Sequence, residues 1–174
     1  MGLLASVTEP DIRRHLLREE GEVIVDEVSK HWVAYVRTGI EWLAALALLF
    51  LVPFVHPDLA WLPFTVVVAL LLHGGWLALQ ARVDRFVITN MRVFRVHGVL
   101  SRQLATMPLS RILDITVAQP LIGRILGYGH FVFESAAQEQ GLRDIRFVGR
   151  PDERDLSIQR VVQRSGLRGP RVVN

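Results

Sequence analysis

The sequence predicts an α+β membrane protein: a transmembrane helical hairpin, then a small antiparallel β domain closed by a C-terminal helix. Three observations carry this. Two long apolar runs stand almost back to back, "WLAALALLFLVPFV" from Trp42 to Val55 and "LAWLPFTVVVALLLHGGWLALQA" from Leu59 to Ala81. From Arg82 onward the apolar residues recur every second position, as on a half-buried strand. The last stretch, "PDERDLSIQRVVQRSG", returns to a helical period. These place a lead-in over 1–37, a hairpin over 38–81, a β domain over 82–166 with its closing helix at 152–165, and a tail over 167–174.

The hairpin comes first because it sets the compartment. Thr38 to Val55 gives about eighteen residues, just enough to cross the hydrocarbon core, and Leu59 to Ala81 gives about 23. "HPD" between them (His56, Pro57, Asp58) is a short polar turn. Lys30 and Arg37 precede the first span, while Arg82, Arg85, Arg92 and Arg95 follow the second. The connecting loop has neither Lys nor Arg. The positive-inside rule therefore puts both termini in the cytoplasm and the turn outside. Trp42, Trp61 and Trp76 fall near span ends, as an aromatic belt requires. Glu41 is expected to be an interfacial carboxylate paired with Arg37 four residues back. His73, beside Gly74 and Gly75, is expected to pack or hydrogen-bond against the neighbouring helix rather than to serve as a relay.

Composition narrows the class. The chain of 174 residues is 51% hydrophobic, with a mean hydropathy of +0.31 and no cysteine. Disulfide scaffolds, cysteine-based zinc sites and thiol catalysis are thereby excluded. Of twenty basic residues nineteen are Arg, a bias that points to a GC-rich bacterial genome. The net charge of +3 is uneven: residues 82–174 hold fifteen Arg against eight acids, and both preceding segments are net acidic. The basic excess suits an anionic inner leaflet.

In the lead-in, Thr8 caps, Pro10 sits in a first turn, and Ile12, Leu16 and Leu17 form a short apolar stripe that Gly21 ends. This predicts a short amphipathic helix, placed on headgroups or on a partner. "EVIVDEVSKHWVAYVR" then predicts a strand leading into the spanning helix. The opening "MGLLAS" fits a loose myristoylation pattern, which a chain with its own hairpin does not need.

The β domain follows in short pieces. "DRFVITN" alternates Phe86 and Ile88 against Val87 and Thr89, and Thr89-Asn90 is a turn signal. "RVFRVHGVL" puts Phe94 and Val96 on one face and Arg95 and His97 on the other, and Gly98 marks a turn or bulge. "LATMPLSRILDITVAQ" turns Ile115 and Val117 inward, with Asp114 and Thr116 outward. "HFVFESA" and "LRDIRFVG" are two more strands, joined by "AQEQG". In the closing helix Pro151 marks the start, Ile158, Val161 and Val162 share a face, and Gly166 is the stop. Between strands, "LIGRILGYG" carries Leu121, Ile122, Ile125 and Leu126 as an apolar stripe, with Arg124 facing away. Such a stripe plugs the end of a barrel or touches the bilayer or a partner helix; plugging is the plainer expectation.

"FVITNMRVFRVHGVLSRQLATMPLSRILDITVAQPLIGRILGYGHFVFESA" resembles the bacterial pleckstrin-homology (PH) domain of the membrane-flanked type. The resemblance rests on Thr89-Asn90, on Gly98-Val99-Leu100, on Met107 to Ile112 and on Gln119 to Gly129. The upstream "EEGEVIVDEVSKHWVAYVR" resembles that family's lead-in. Together they cover roughly 21–151. The resemblance implies a PH-like antiparallel β-barrel or bent sheet and a binding module. Basic residues around the first hairpin hold phosphoinositides in eukaryotic PH domains; the corresponding headgroup candidates are Arg92, Arg95 and Arg102.

Nothing in the sequence reads as an enzyme. No nucleophile stands beside a base, no inward carboxylates pair, and the six His residues have no metal-ligand spacing, so no catalytic residue, metal or cofactor is expected. Arg residues interleaved with acids, without an aromatic stacking platform, argue against nucleic acid. The expected partners are the lipid bilayer, membrane-protein subunits and, in one reading, a second copy of the chain. The leading expectation is an accessory or scaffold subunit of a bacterial inner-membrane complex; the alternative is an anionic-lipid sensor working as a homo-oligomer. Leu121, Ile122, Arg124, Ile125 and Leu126 are the candidates for membrane or partner contact.

Overall fold

A computed structural model of the chain describes residues 12–135, 142 and 144–164. Thr8 and Pro10, the "AQEQG" turn, Gly166 and the tail lie outside those residues. The chain divides into two units, one of 32–82 and one that joins 1–31 with 83–174.

The first unit is the hairpin. A single 3-10 turn over Trp32–Tyr35 runs into helix α1, Val36–Leu51. Tight turns at Val52–Phe54 and Pro57–Leu59, each with a proline near its start, reverse the chain. Helix α2 then runs from Trp61 to Val83. The helical segments Trp32–Phe54 and Pro57–Val83, of 23 and 27 residues, are each long and apolar enough to cross a membrane. Only 11% of each apolar window is buried, whereas the core helix of a soluble protein would be mostly covered. The helices meet through small and polar groups. Thr38 Oγ1 donates to the Gly74 carbonyl at 3.3 Å. Gly74 has no room for a side chain, because a Cβ there would stand 2.7 Å from Trp42 Nε1.

The second unit contains two antiparallel sheets. Sheet A holds β1 (Ile24–Ser29), β2 (Arg85–Thr89), β3 (Arg92–His97) and β4 (Gln103–Pro108), in that spatial order. Sheet B holds β5 (Ile112–Ala118), β6 (Tyr128–Ser135) and β7 (Asp144–Gly149), again in order. Helix α3 (Leu121–Leu126) links β5 to β6, and helix α4 (Pro151–Arg164) follows β7. The architecture is consistent with a PH-like fold, but the expected barrel is not closed. The chain leaves sheet A after Pro108 through a tight turn, Leu109–Arg111, into sheet B. Beyond that crossover the isolated bridge Lys30 to Val148 also joins the sheets.

Where the sequence places the domain after the hairpin, its first sheet draws on both sides of it. β1 comes from the lead-in and pairs with β2 in the register Val28↔Phe86, Ser29↔Arg85. The core lies between the sheets and under α4: Phe86, Ile88, Val93, Met107, Phe131, Phe133 and Ile145 pack with Ile158, Val161 and Val162. Phe86 and Phe133 meet ring to ring at 5.5 Å across the two sheets. Ile115 and Val117 pack against this core, as their alternation predicts. β2, however, is buried on both faces. A second cluster of Ile12, Val87, Phe94 and Val96 covers the outer side of the sheet, with Leu16 and Ile24 against it. The lead-in stripe thus folds Ile12 and Leu16 onto its own sheet, while Leu17 stays exposed. It does so as two 3-10 turns, Ile12–His15 and Arg18–Glu20, rather than as the expected helix.

Candidate functional site

The arginines at the first hairpin are occupied inside the domain. Arg92 Nε donates to Glu22 Oε1 at 2.9 Å, and one of its Nη atoms reaches Glu22 Oε2 at 3.1 Å and the His15 carbonyl at 2.6 Å. Its guanidinium also lies over the Phe94 ring, 5.6 Å from the centroid. Glu22 takes further hydrogen bonds from the Leu17 N–H at 2.7 Å and the Thr89 hydroxyl at 2.8 Å. Burial pushes the Glu22 carboxyl up, but the Arg92 contact and these two donors outweigh it and hold it below its ordinary value. Beside it, Asn90 clamps the lead-in through both ends of its amide: Oδ1 accepts from the Val23 N–H, and Nδ2 donates to the Gly21 carbonyl. The Thr-Asn turn and the Gly-Glu of the lead-in are therefore two halves of one lock.

Arg95 is held the same way. Its Nε and Nη2 grip Asp84 Oδ1 and Oδ2, both at 2.7 Å, and Nη1 donates to the Asp144 carbonyl at 3.2 Å. Lys30 reaches the same carboxylate at 2.9 Å. Burial raises the Asp84 pKa; Arg95 and Lys30 more than reverse that and hold it low. Lys30 immediately precedes the last residue before the hairpin, and Asp84 follows the first residue after it. This cluster therefore ties together the two points where the chain leaves and re-enters the β unit. Of the three sequence candidates, Arg102 is the exposed one. Neither Glu22 nor Asp84 stands out in the sequence as a partner, because cross-strand register decides which arginine each meets.

The short helix α3 does not plug anything. Leu121, Ile122 and Ile125 are 78%, 62% and 82% exposed, and Leu126 is exposed as well. Arg124 is exposed beside them. Two glycines shape this element. A Cβ on Gly123 would stand 2.5 Å from the Tyr128 carbonyl oxygen, and Gly127 ends the helix in the left-handed region at φ 76°. The buried Gly123 side holds the helix to its own sheet, so the apolar side faces out. The β3–β4 turn presents Leu100, 88% exposed, in the same manner.

Both loops open where the chain joins the hairpin. In sheet A the paired row is Ser29, Arg85, Val96 and Leu104, so the β3–β4 turn projects in the direction in which β1 exits. In sheet B, Tyr128 directly follows α3 and Gly127, and its ring lies 5.9 Å from that of His31, the last residue before the hairpin. His31 also donates its N–H to the Phe147 carbonyl at 2.7 Å. Phe147 sits at φ 59°, a strained backbone for an aromatic residue. Its own N–H donates to His130 Nδ1 at 3.1 Å. Burial, with Arg146 nearby, holds the His130 pKa down, in keeping with that acceptor role.

In the hairpin, Glu41 pairs with Arg37 and His73 hydrogen-bonds to the neighbouring helix, as expected; that the partner of His73 is Glu41 itself was not legible in the sequence. Arg37 Nε donates to Glu41 Oε1 at 3.3 Å, and His73 Nδ1 lies 2.8 Å from Glu41 Oε2 across the two helices. The His73 side chain is nevertheless 53% exposed. Among the described residues, no group of three or more His, Asp or Glu could hold a metal.

Among the described residues, the second unit is an open pair of antiparallel sheets with a C-terminal helix packed on their core. The sequence model of the bacterial PH domain matches residues 39–165. The chain belongs to that bacterial PH domain family, whose domains are typically non-catalytic binding modules. Neither the curated proteins nor the solved structures contain a match.

Proposed function

We propose that this chain is a membrane-anchored, non-enzymatic binding module of the bacterial cytoplasmic membrane, and that it works as an accessory or scaffold subunit of a larger membrane assembly. Its hairpin crosses the bilayer twice, with both termini and the PH-type unit on the cytoplasmic side. The uncovered apolar surface of both long helices and the cationic flanks support that reading.

One observation carries the accessory role. His73 lies eight residues inside the inner end of the second apolar run, roughly 12 Å deep at 1.5 Å per residue. Glu41 satisfies its Nδ1, while half of the ring remains uncovered. A polar ring nitrogen facing hydrocarbon is costly, so such groups face other protein helices. The face carrying His73, with Ala69 and Trp76 on neighbouring turns, is therefore the surface that a partner's transmembrane helix covers. Headgroup recognition at Arg92 and Arg95 is the weaker reading, since Arg92 is paired with the buried Glu22 and Arg95 is gripped by Asp84.

The test is purification of the tagged full-length chain in gentle detergent, with co-purifying proteins identified by mass spectrometry. A stoichiometric integral membrane partner, lost on His73→Leu while the variant still inserts, is the expected result. A chain that purifies alone overturns the accessory role. Self-association through the same face overturns it too, in favour of a homo-oligomer.

A further inference from the structure

We infer that the apolar rim formed by α3 and the β3–β4 turn inserts into the cytoplasmic interface of the bilayer, so that the PH-type unit is docked on the membrane at three places rather than hung from it by two. This rests on the membrane reading of the hairpin. Large aliphatic side chains exposed on loops at the same edge of a domain mark a contact surface. Here they are Leu100, Leu121, Ile122 and Ile125, with Leu104 partly exposed at the base of the turn.

The occupant follows from connectivity. The β unit ends at His31 and resumes at Val83, and the hairpin occupies everything between, so neither junction has a spacer. The edge carrying His31 and Val83 is therefore joined covalently to both apolar helical segments. Leu104 lies in the same cross-strand row as Ser29 and Arg85, which at about 4.8 Å per strand puts it within about 15 Å of the exit from β1. Helix α3 ends at Leu126, two residues before Tyr128, whose ring packs on His31. Arg102 stands two residues from Leu100, and Arg124 adjoins Ile125; both are exposed. Aliphatic groups interleaved with arginine suit the boundary between acyl chains and anionic headgroups. A soluble partner would leave the same edge facing lipid.

The chain has no cysteine, so single positions can be labelled directly. Leu100→Cys, Ile125→Cys, Leu72→Cys in the hairpin and Met91→Cys at the opposite end of sheet A each receive an environment-sensitive fluorophore. The full-length proteins are reconstituted into phosphatidylethanolamine–phosphatidylglycerol vesicles with and without nitroxide-bearing lipids. The expected result is a loss of about half the emission at Leu100, Ile125 and Leu72, with little change at Met91. Rim labels that behave like Met91 while Leu72 is quenched overturn the inference and leave the rim to a protein partner. An unquenched Leu72 label overturns the membrane reading itself, and the rim contact with it.

Discussion

Glu22 shows how one residue decides what its neighbours can do. It is buried, yet it gathers Arg92, the Thr89 hydroxyl and the Leu17 N–H. Arg92 therefore serves as a structural counter-ion, and its charge is spent before any lipid arrives. Removing one partner of a buried pair leaves the other uncompensated, so Glu22→Ala should destabilise the β unit by about 3 kcal/mol, read as a lower thermal midpoint. The pH dependence has a fixed sign. The folded pKa values of Glu22 and Asp84 are depressed, so their contribution is complete above the unfolded carboxylate pKa and is lost as pH falls through the folded value. Stability should decline below about pH 4.5. Glu22→Gln should flatten part of that decline, and an unchanged pH profile would refute the assignment. The sequence displays Gly21-Glu22 and Thr89-Asn90 as separate motifs 67 positions apart. Only the β1–β2 register makes them one lock.

At the scale of the element, α3 is the informative case. Its apolar stripe and its flanking glycines are plain in the sequence, and so is the turn-helix-turn they form. Whether the stripe faces in or out is not: Arg124, read as its polar opposite, is exposed beside it, and a single polar residue on a six-residue helix does not fix the orientation. The close approach of Gly123 to the Tyr128 carbonyl settles it. Gly123→Val should therefore displace the helix and lower the thermal midpoint, while Leu121→Ser and Ile125→Ser, which remove exposed apolar surface, should leave the stability unchanged within about 0.5 kcal/mol. Equal effects from both kinds of substitution would mean that α3 is a plug after all. Strand β2 repeats the point. Its alternation sets Phe86 and Ile88 against Val87 and Thr89, but the lead-in covers Val87 as well, through Ile12 and Leu16.

For the whole molecule, the decisive fact is that a hairpin interrupts a sheet. Ser29 and Arg85 are cross-strand partners although 55 hairpin and junction residues separate them. A fragment of residues 83–174 lacks β1, the Glu22 lock and the cover over Val87 and Phe94, so it should not unfold cooperatively. Residues 1–31 joined to 83–174 through a short Gly/Ser loop should, because the two junctions are already adjacent. Circular dichroism melts of the two polypeptides make the comparison, and a cooperative melt from the shorter one would show β1 to be dispensable.

By itself the sequence determined the classes of the parts. Two long apolar runs, a change of period from helical to alternating, and a return to helix follow from side-chain chemistry repeated along the chain, which needs no long-range information. Family membership was legible for the same reason, in short ordered motifs. The tertiary structure alone decided which distant pieces share a sheet, which arginines are already paired, and which apolar stripe stays uncovered. Those outcomes depend on strand register and close packing between residues far apart in sequence, and no local pattern encodes them.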